Sequence, residues 1–156
     1  MYPRFLAQLH YELQSLGVLP SPKTIPWSAD LELSPALLDG DHQRLLQQVN
    51  ALLLCLPSRD DRRIERAYRA LVNCAKEHFA DEEIMMRKYR YSGVARHAGH
   101  HEALLRRLTE LQRTNYRPYG DKRKADVQRF LENWLVPHIV NDDQRFTEFL
   151  DAAGHA

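Results

Sequence analysis

The sequence predicts an all-α protein, an up-down-up-down four-helix bundle preceded by an N-terminal arm that is part short helix and part extended chain. Three observations carry that prediction. Apolar residues recur at three- and four-residue steps in four stretches of about 20 to 30 residues. Proline- and glycine-bearing clusters separate these stretches. No comparable run alternates apolar and polar residues with period two, so strands are not expected.

The elements follow in order. Residues 3–16 carry Phe5, Leu6, Leu9, Leu13 and Leu16 and read as a short amphipathic helix ended by Gly17. Residues 18–35 are broken by Pro20, Pro22, Pro26 and Pro35, with Trp27 as the one large aromatic, and read as an extended arm packed over the bundle. The arm is therefore assigned to residues 1–34 and the bundle to 35–156. The first bundle helix is expected from about Pro35 to Leu56, on Leu38, Leu45, Leu46, Val49, Leu52, Leu53 and Leu56, and stops at Pro57. The second runs from about Asp60 to Tyr89 on Ile64, Ala67, Leu71, Ala75, Phe79 and Met86, with Asp60 or Asp61 capping its N–H groups. The third spans about Val94 to Tyr116 on Ala98, His101, Leu104, Leu105, Leu108 and Leu111, and ends in Arg117-Pro118-Tyr119-Gly120. The fourth runs from Asp121 to about Ala152 on Val127, Phe130, Leu131, Trp134, Leu135, Ile139, Phe146, Phe149 and Leu150. Pro137 lies inside it, removes an N–H bond to Asn133, and predicts a kink.

Composition narrows the function classes. A chain of 156 residues fits one domain. Its 22 Lys+Arg against 21 Asp+Glu leave no charge excess for a broad phosphate-binding face, so nucleic acid is not an expected partner. No apolar run reaches the ~18 residues of a membrane span, and no secretory signal opens the chain, so a soluble cytoplasmic protein is expected. Cys55 and Cys74 form no disulfide framework and are expected to be reduced.

The eight histidines carry the chemistry. His78 and Glu82 stand at i, i+4 on one helical face, and His97 and His101 do the same on the next helix. His138 and Asp143 stand at i, i+5, about 140° apart on a regular α-helix, so they are expected on opposite shoulders of one stripe. His42 stands alone on the first helix. His100 points away from the stripe of His97 and His101 and is expected to be solvated, as are His10 and His155 in the arm and tail.

In antiparallel neighbours, residues at one level are equidistant from the turn between them. The midpoint of His42 and His78 is residue 60, that of the second and third sets is 89 to 90, and that of the third and fourth falls near Gly120. All three coincide with breaker clusters identified independently. Five histidines, Glu82 and Asp143 therefore share one level of the bundle. Burying them without a counter-charge is costly, and a metal resolves the cost. Imidazole and carboxylate without thiolate suit iron or manganese, and zinc less well. Seven ligands exceed the need of one ion. Two ions sharing two carboxylates account for them, with three histidines on one, two on the other, and an open position for a small ligand.

These residues resemble the hemerythrin family, in its bacterial form, over about residues 25–151. The resemblance rests on Leu38-Asp39-Gly40-Asp41-His42, His78-Phe79-Ala80-Asp81-Glu82, His97-Ala98-Gly99-His100-His101 and His138-Ile139-Val140-Asn141-Asp142-Asp143. It implies two iron ions in a non-heme, oxo- or hydroxo-bridged diiron centre that binds dioxygen reversibly. His97, His101 and His138 would hold the coordinatively full iron, His42 and His78 the open one, and Glu82 and Asp143 would bridge. Leu45, Phe79, Trp134, Leu135 and Ile139 are the expected apolar lining of the oxygen pocket. The implied role is oxygen storage, delivery or buffering, without catalysis. The alternative is a sensor of oxygen, nitric oxide or redox state, with the arm or a partner surface as output; self-association through the arm belongs to the same reading. An oxidising diiron enzyme is disfavoured, because the chain offers no inward Glu-x-x-His pair.

Overall fold

The computed structural model describes residues 39–58, 60–113 and 121–154. The predicted arm and the connection around Tyr116–Gly120 lie outside these residues. Among those described there are four helical rods and no strand. They are α1 (Asp39–Cys55), α2 (Asp61–Lys88), α3 (Val94–Arg113) and α4, which starts at Asp121 and ends at Ala152.

Sequence dictates the boundaries of α2. Asp60 caps its start, the carboxylate accepting from the Arg63 N–H at 3.0 Å. Its end is closed by the Arg90 N–H donating to the Arg87 carbonyl and the Tyr91 N–H to the Met86 carbonyl, the two bonds of a Schellman motif. That geometry needs a left-handed residue, and Arg90 supplies it at φ 56° without being glycine. Gly93 follows against the Tyr91 ring, where a Cβ would stand 2.6 Å from a ring carbon.

The helices α1 and α2 run antiparallel, as do α2 and α3. His42 meets His78 while Arg44 meets Glu77, and Gln112 meets Glu65 while His101 meets Glu83. Leu45, Val49, Leu52, Ile64, Tyr68, Leu71, Leu108, Val127 and Leu131 form the larger apolar core. A smaller one of Met86, Phe146 and Leu150 sits beside the α2–α3 turn, with Tyr91 and Phe149 against it. The predicted polar layer lies between the two.

The fourth rod departs from the regular helix that its sequence predicts. It runs as α-helix from Asp121 to Phe130, a π turn at Leu131–Leu135, α-helix at Val136–His138, a second π turn at Ile139–Asp143, and α-helix from Gln144 to Ala152. Bonding from i to i+5 widens each turn by a residue. The missing N–H of Pro137 is thereby absorbed: Leu135, Val136 and His138 keep right-handed helical dihedrals, and the side-chain amide of Asn141 donates to the Pro137 carbonyl at 2.7 Å. The second π turn also corrects the expected 140° separation. It stacks residues five apart on successive turns, so His138 and Asp143 point into the bundle together.

Candidate metal centre

The structure brings His42, His78, Glu82, His97, His101, His138 and Asp143 together in the interior, each between 0 and 4% exposed. α1 contributes His42, α2 contributes His78 and Glu82, α3 contributes His97 and His101, and α4 contributes His138 and Asp143. Asp143 is the hub. Its Oδ2 accepts from His42 Nε2 at 3.0 Å and lies 3.7 Å from His78 Nε2, while its Oδ1 is 3.1 Å from His97 Nε2 and 3.2 Å from His138 Nε2. Glu82 Oε2 lies 3.1 Å from the Nε2 atoms of both His97 and His101.

The electrostatics favour a positive charge here. Burial alone would keep both carboxylates protonated. For Asp143 this is outweighed by His138 and by the neighbouring imidazoles of His42, His78 and His97, which hold the carboxyl well below its ordinary value. Glu82 is likewise lowered despite burial and the neighbouring Asp143, through His101 and His97. Burial disfavours the His97 imidazolium, but Asp143 and Glu82 raise it to about 9. The same contest raises His78.

The donor set also passes a fit test for metal. Among the described residues, His78 Nε2, His101 Nε2, His138 Nε2, Glu82 Oε1 and Asp143 Oδ1 are buried and meet no partner in hydrogen-bonding geometry, a costly arrangement for a polar interior. Ligating atoms of Glu82, His97, His101, His138 and Asp143 lie within 4.8 Å of one another, and those of His42, His78 and Asp143 form a second such group. The two groups share Asp143, and the cluster can hold metal.

The match of a protein-family model decides the kinship: the hemerythrin HHE cation-binding domain, over residues 34–150. The chain belongs to the hemerythrin family. It is 28% identical over 130 residues to a bacteriohemerythrin of Pseudomonas paraeruginosa, covering 83% of this chain and 82% of that protein. It is 31% identical over 129 residues to a myohemerythrin of Riftia pachyptila, covering 82% and 93%. A bacteriohemerythrin of Methylococcus capsulatus is 26% identical over 125 residues, covering 80% and 95%.

Of the apolar residues expected around a hemerythrin ligand pocket, Leu45, Phe79, Leu135 and Ile139 are buried, and Phe79 stacks on the His101 ring with centroids 4.0 Å apart. Trp134 is not buried with them. It is 66% exposed and lines an outer cavity of about 710 Å³ that also borders His138, with Leu104, Phe130, Pro137 and Asp142. The first π turn ends at Leu135, and a regular 3.6-residue stripe does not describe the face on which Trp134 falls.

Sequence reasoning missed two residues. Glu83 Oε1 lies 3.1 Å from His101 Nδ1, and Asp142 Oδ2 lies 3.0 Å from His138 Nδ1. His100 is exposed as expected, but its Nδ1 lies 3.2 Å from the same Asp142 oxygen. Asp142 is held down to about 2 by the hydrogen bond to His138. Each carboxylate directly adjoins a candidate ligand in sequence, Glu82 or Asp143, and that adjacency was the available signal.

Proposed function

We propose that this hemerythrin-family chain binds dioxygen reversibly at a non-heme diiron centre, for oxygen storage, delivery or buffering. The observation that carries the reading is the pair of overlapping ligand groups that share Asp143. In this assignment His97, His101 and His138 hold one iron, His42 and His78 hold the other, and Glu82 and Asp143 bridge. Such a division gives one position more protein ligands than the other and leaves room for a small ligand. When bound, the iron pair supplies two reducing equivalents and an open coordination position.

The chain supplies the surroundings. Leu45, Phe79, Leu135 and Ile139, all buried, exclude water and stray protons. Excluding them favours release of unchanged dioxygen over loss of a reduced product, which would leave the irons ferric. The carboxylates Glu82 and Asp143 balance the positive charge of the site, which a buried iron pair needs as much as the carboxylates need a cation.

The test is direct. Iron is quantified in the purified chain, which is then reduced anaerobically, exposed to oxygen and followed by visible absorption as oxygen is withdrawn. Two irons per chain and a colour that appears and reverses are the expected result. Rapid, permanent oxidation points instead to a sensor or scavenger, and a chain that binds no iron refutes the site.

A further inference from the structure

The outer nitrogens of the five histidines are not treated alike. His101 Nδ1 faces Glu83 at 3.1 Å and His138 Nδ1 faces Asp142 at 3.0 Å. Both carboxylates are anchored in turn from the solvent side. Arg87 donates to Glu83 at 2.8 Å, while His100 meets Asp142 at 3.2 Å and Arg145 lies 3.5 Å from its other oxygen. In contrast, His42 Nδ1 and His78 Nδ1 are buried and have no hydrogen-bond partner among the described residues.

The difference has a chemical consequence. An imidazole that donates Nδ1–H to a carboxylate has its tautomer fixed, with the Nε2 lone pair turned inward, and it becomes a more basic ligand. His101 and His138 are prepared in this way before any cation arrives. His42 and His78 are not, and a cation binding them must select both the tautomer and the ring orientation.

We propose that Glu83 and Asp142 are positioning residues that make the two cation sites unequal, so that the three-histidine site is the tighter, filling first and emptying last. The inference rests on the diiron reading above and adds an order of occupancy to it. Loss of such an outer partner typically costs about 10–100-fold in metal affinity.

The experiment is a titration of the full chain, stripped by chelator, with Co²⁺ under nitrogen. Visible ligand-field absorption reports the geometry, and competition with a chelator reports the affinity. Wild type is expected to fill in two resolved steps. Asp142→Ala and Glu83→Ala should each weaken the first step by about 10–100-fold and leave the second unchanged. Asp142→Asn, which keeps an acceptor oxygen without the charge, should fall between wild type and Asp142→Ala. Far-UV circular dichroism of the stripped variants verifies folding, and His100→Gln, which alters the exposed partner of Asp142, offers a milder variant with a smaller loss in the same step. Two equal steps in wild type, or variants that weaken both steps alike, would overturn the inference while leaving the diiron reading intact. A wild-type chain that takes up no Co²⁺ and no iron would defeat the diiron reading itself.

Discussion

At His78 both ring nitrogens are buried without a hydrogen-bond partner among the described residues, so a cation is the natural partner for that ring. His78→Ala should therefore lose one of two irons and the spectral response to oxygen while keeping most of its helix content, as measured by iron-to-protein ratio and circular dichroism. Retention of both irons would remove His78 from the ligand set. Phe79 and Trp134 provide a second contrast at this scale. Phe79→Ala should destabilise the chain by about 3–5 kcal/mol in urea unfolding, because its ring is buried against His101. Trp134→Ala should change stability by no more than about 0.5 kcal/mol, because its indole is largely in solvent. The seven inward polar side chains were legible because His78/Glu82 and His97/His101, four apart, must share a face, and because equal distances from the turns bring His42, His138 and Asp143 to their level. Glu83 and Asp142 were not, since their roles come from reaching across to a neighbouring helix.

Among the elements, α2 tests how local sequence sets a boundary. Asp60→Ala removes the carboxylate that accepts from the Arg63 N–H and should cost about 1 kcal/mol with iron content unchanged. Arg90→Gly should do the opposite. The left-handed backbone at Arg90 costs a non-glycine residue about 1–2 kcal/mol, and the extra freedom of glycine in the unfolded chain returns about 0.5–1 of it. The net gain, read from the unfolding midpoint, is at most about 1.5 kcal/mol. Periodicity and breaker clusters made α1 to α3 legible close to their observed ends. The π turns of α4 were harder, because an apolar stripe records which residues are buried but not whether a turn holds an extra residue. Two signals for them did exist, the proline at 137 and the five-residue step from His138 to Asp143.

For the whole molecule, a buried polar layer between two apolar cores makes stability conditional on what the layer holds. Removing metal with a chelator should lower the melting temperature, and the stability gap between loaded and stripped chains should grow by about 1.4 kcal/mol per bound cation for each tenfold rise in free cation above its dissociation constant. A melting temperature indifferent to chelation would mean that the layer is stable without a cation. The same burial constrains kinetics as well as equilibrium. With all seven side chains at most 4% exposed, a cation reaches its ligands only during excursions in which helices part. Uptake by the stripped chain should therefore stop accelerating as iron is added and level off at the opening rate that amide hydrogen exchange reports around His97 and His138. Beyond that plateau, breathing of the bundle sets the pace of loading, whatever the supply of iron.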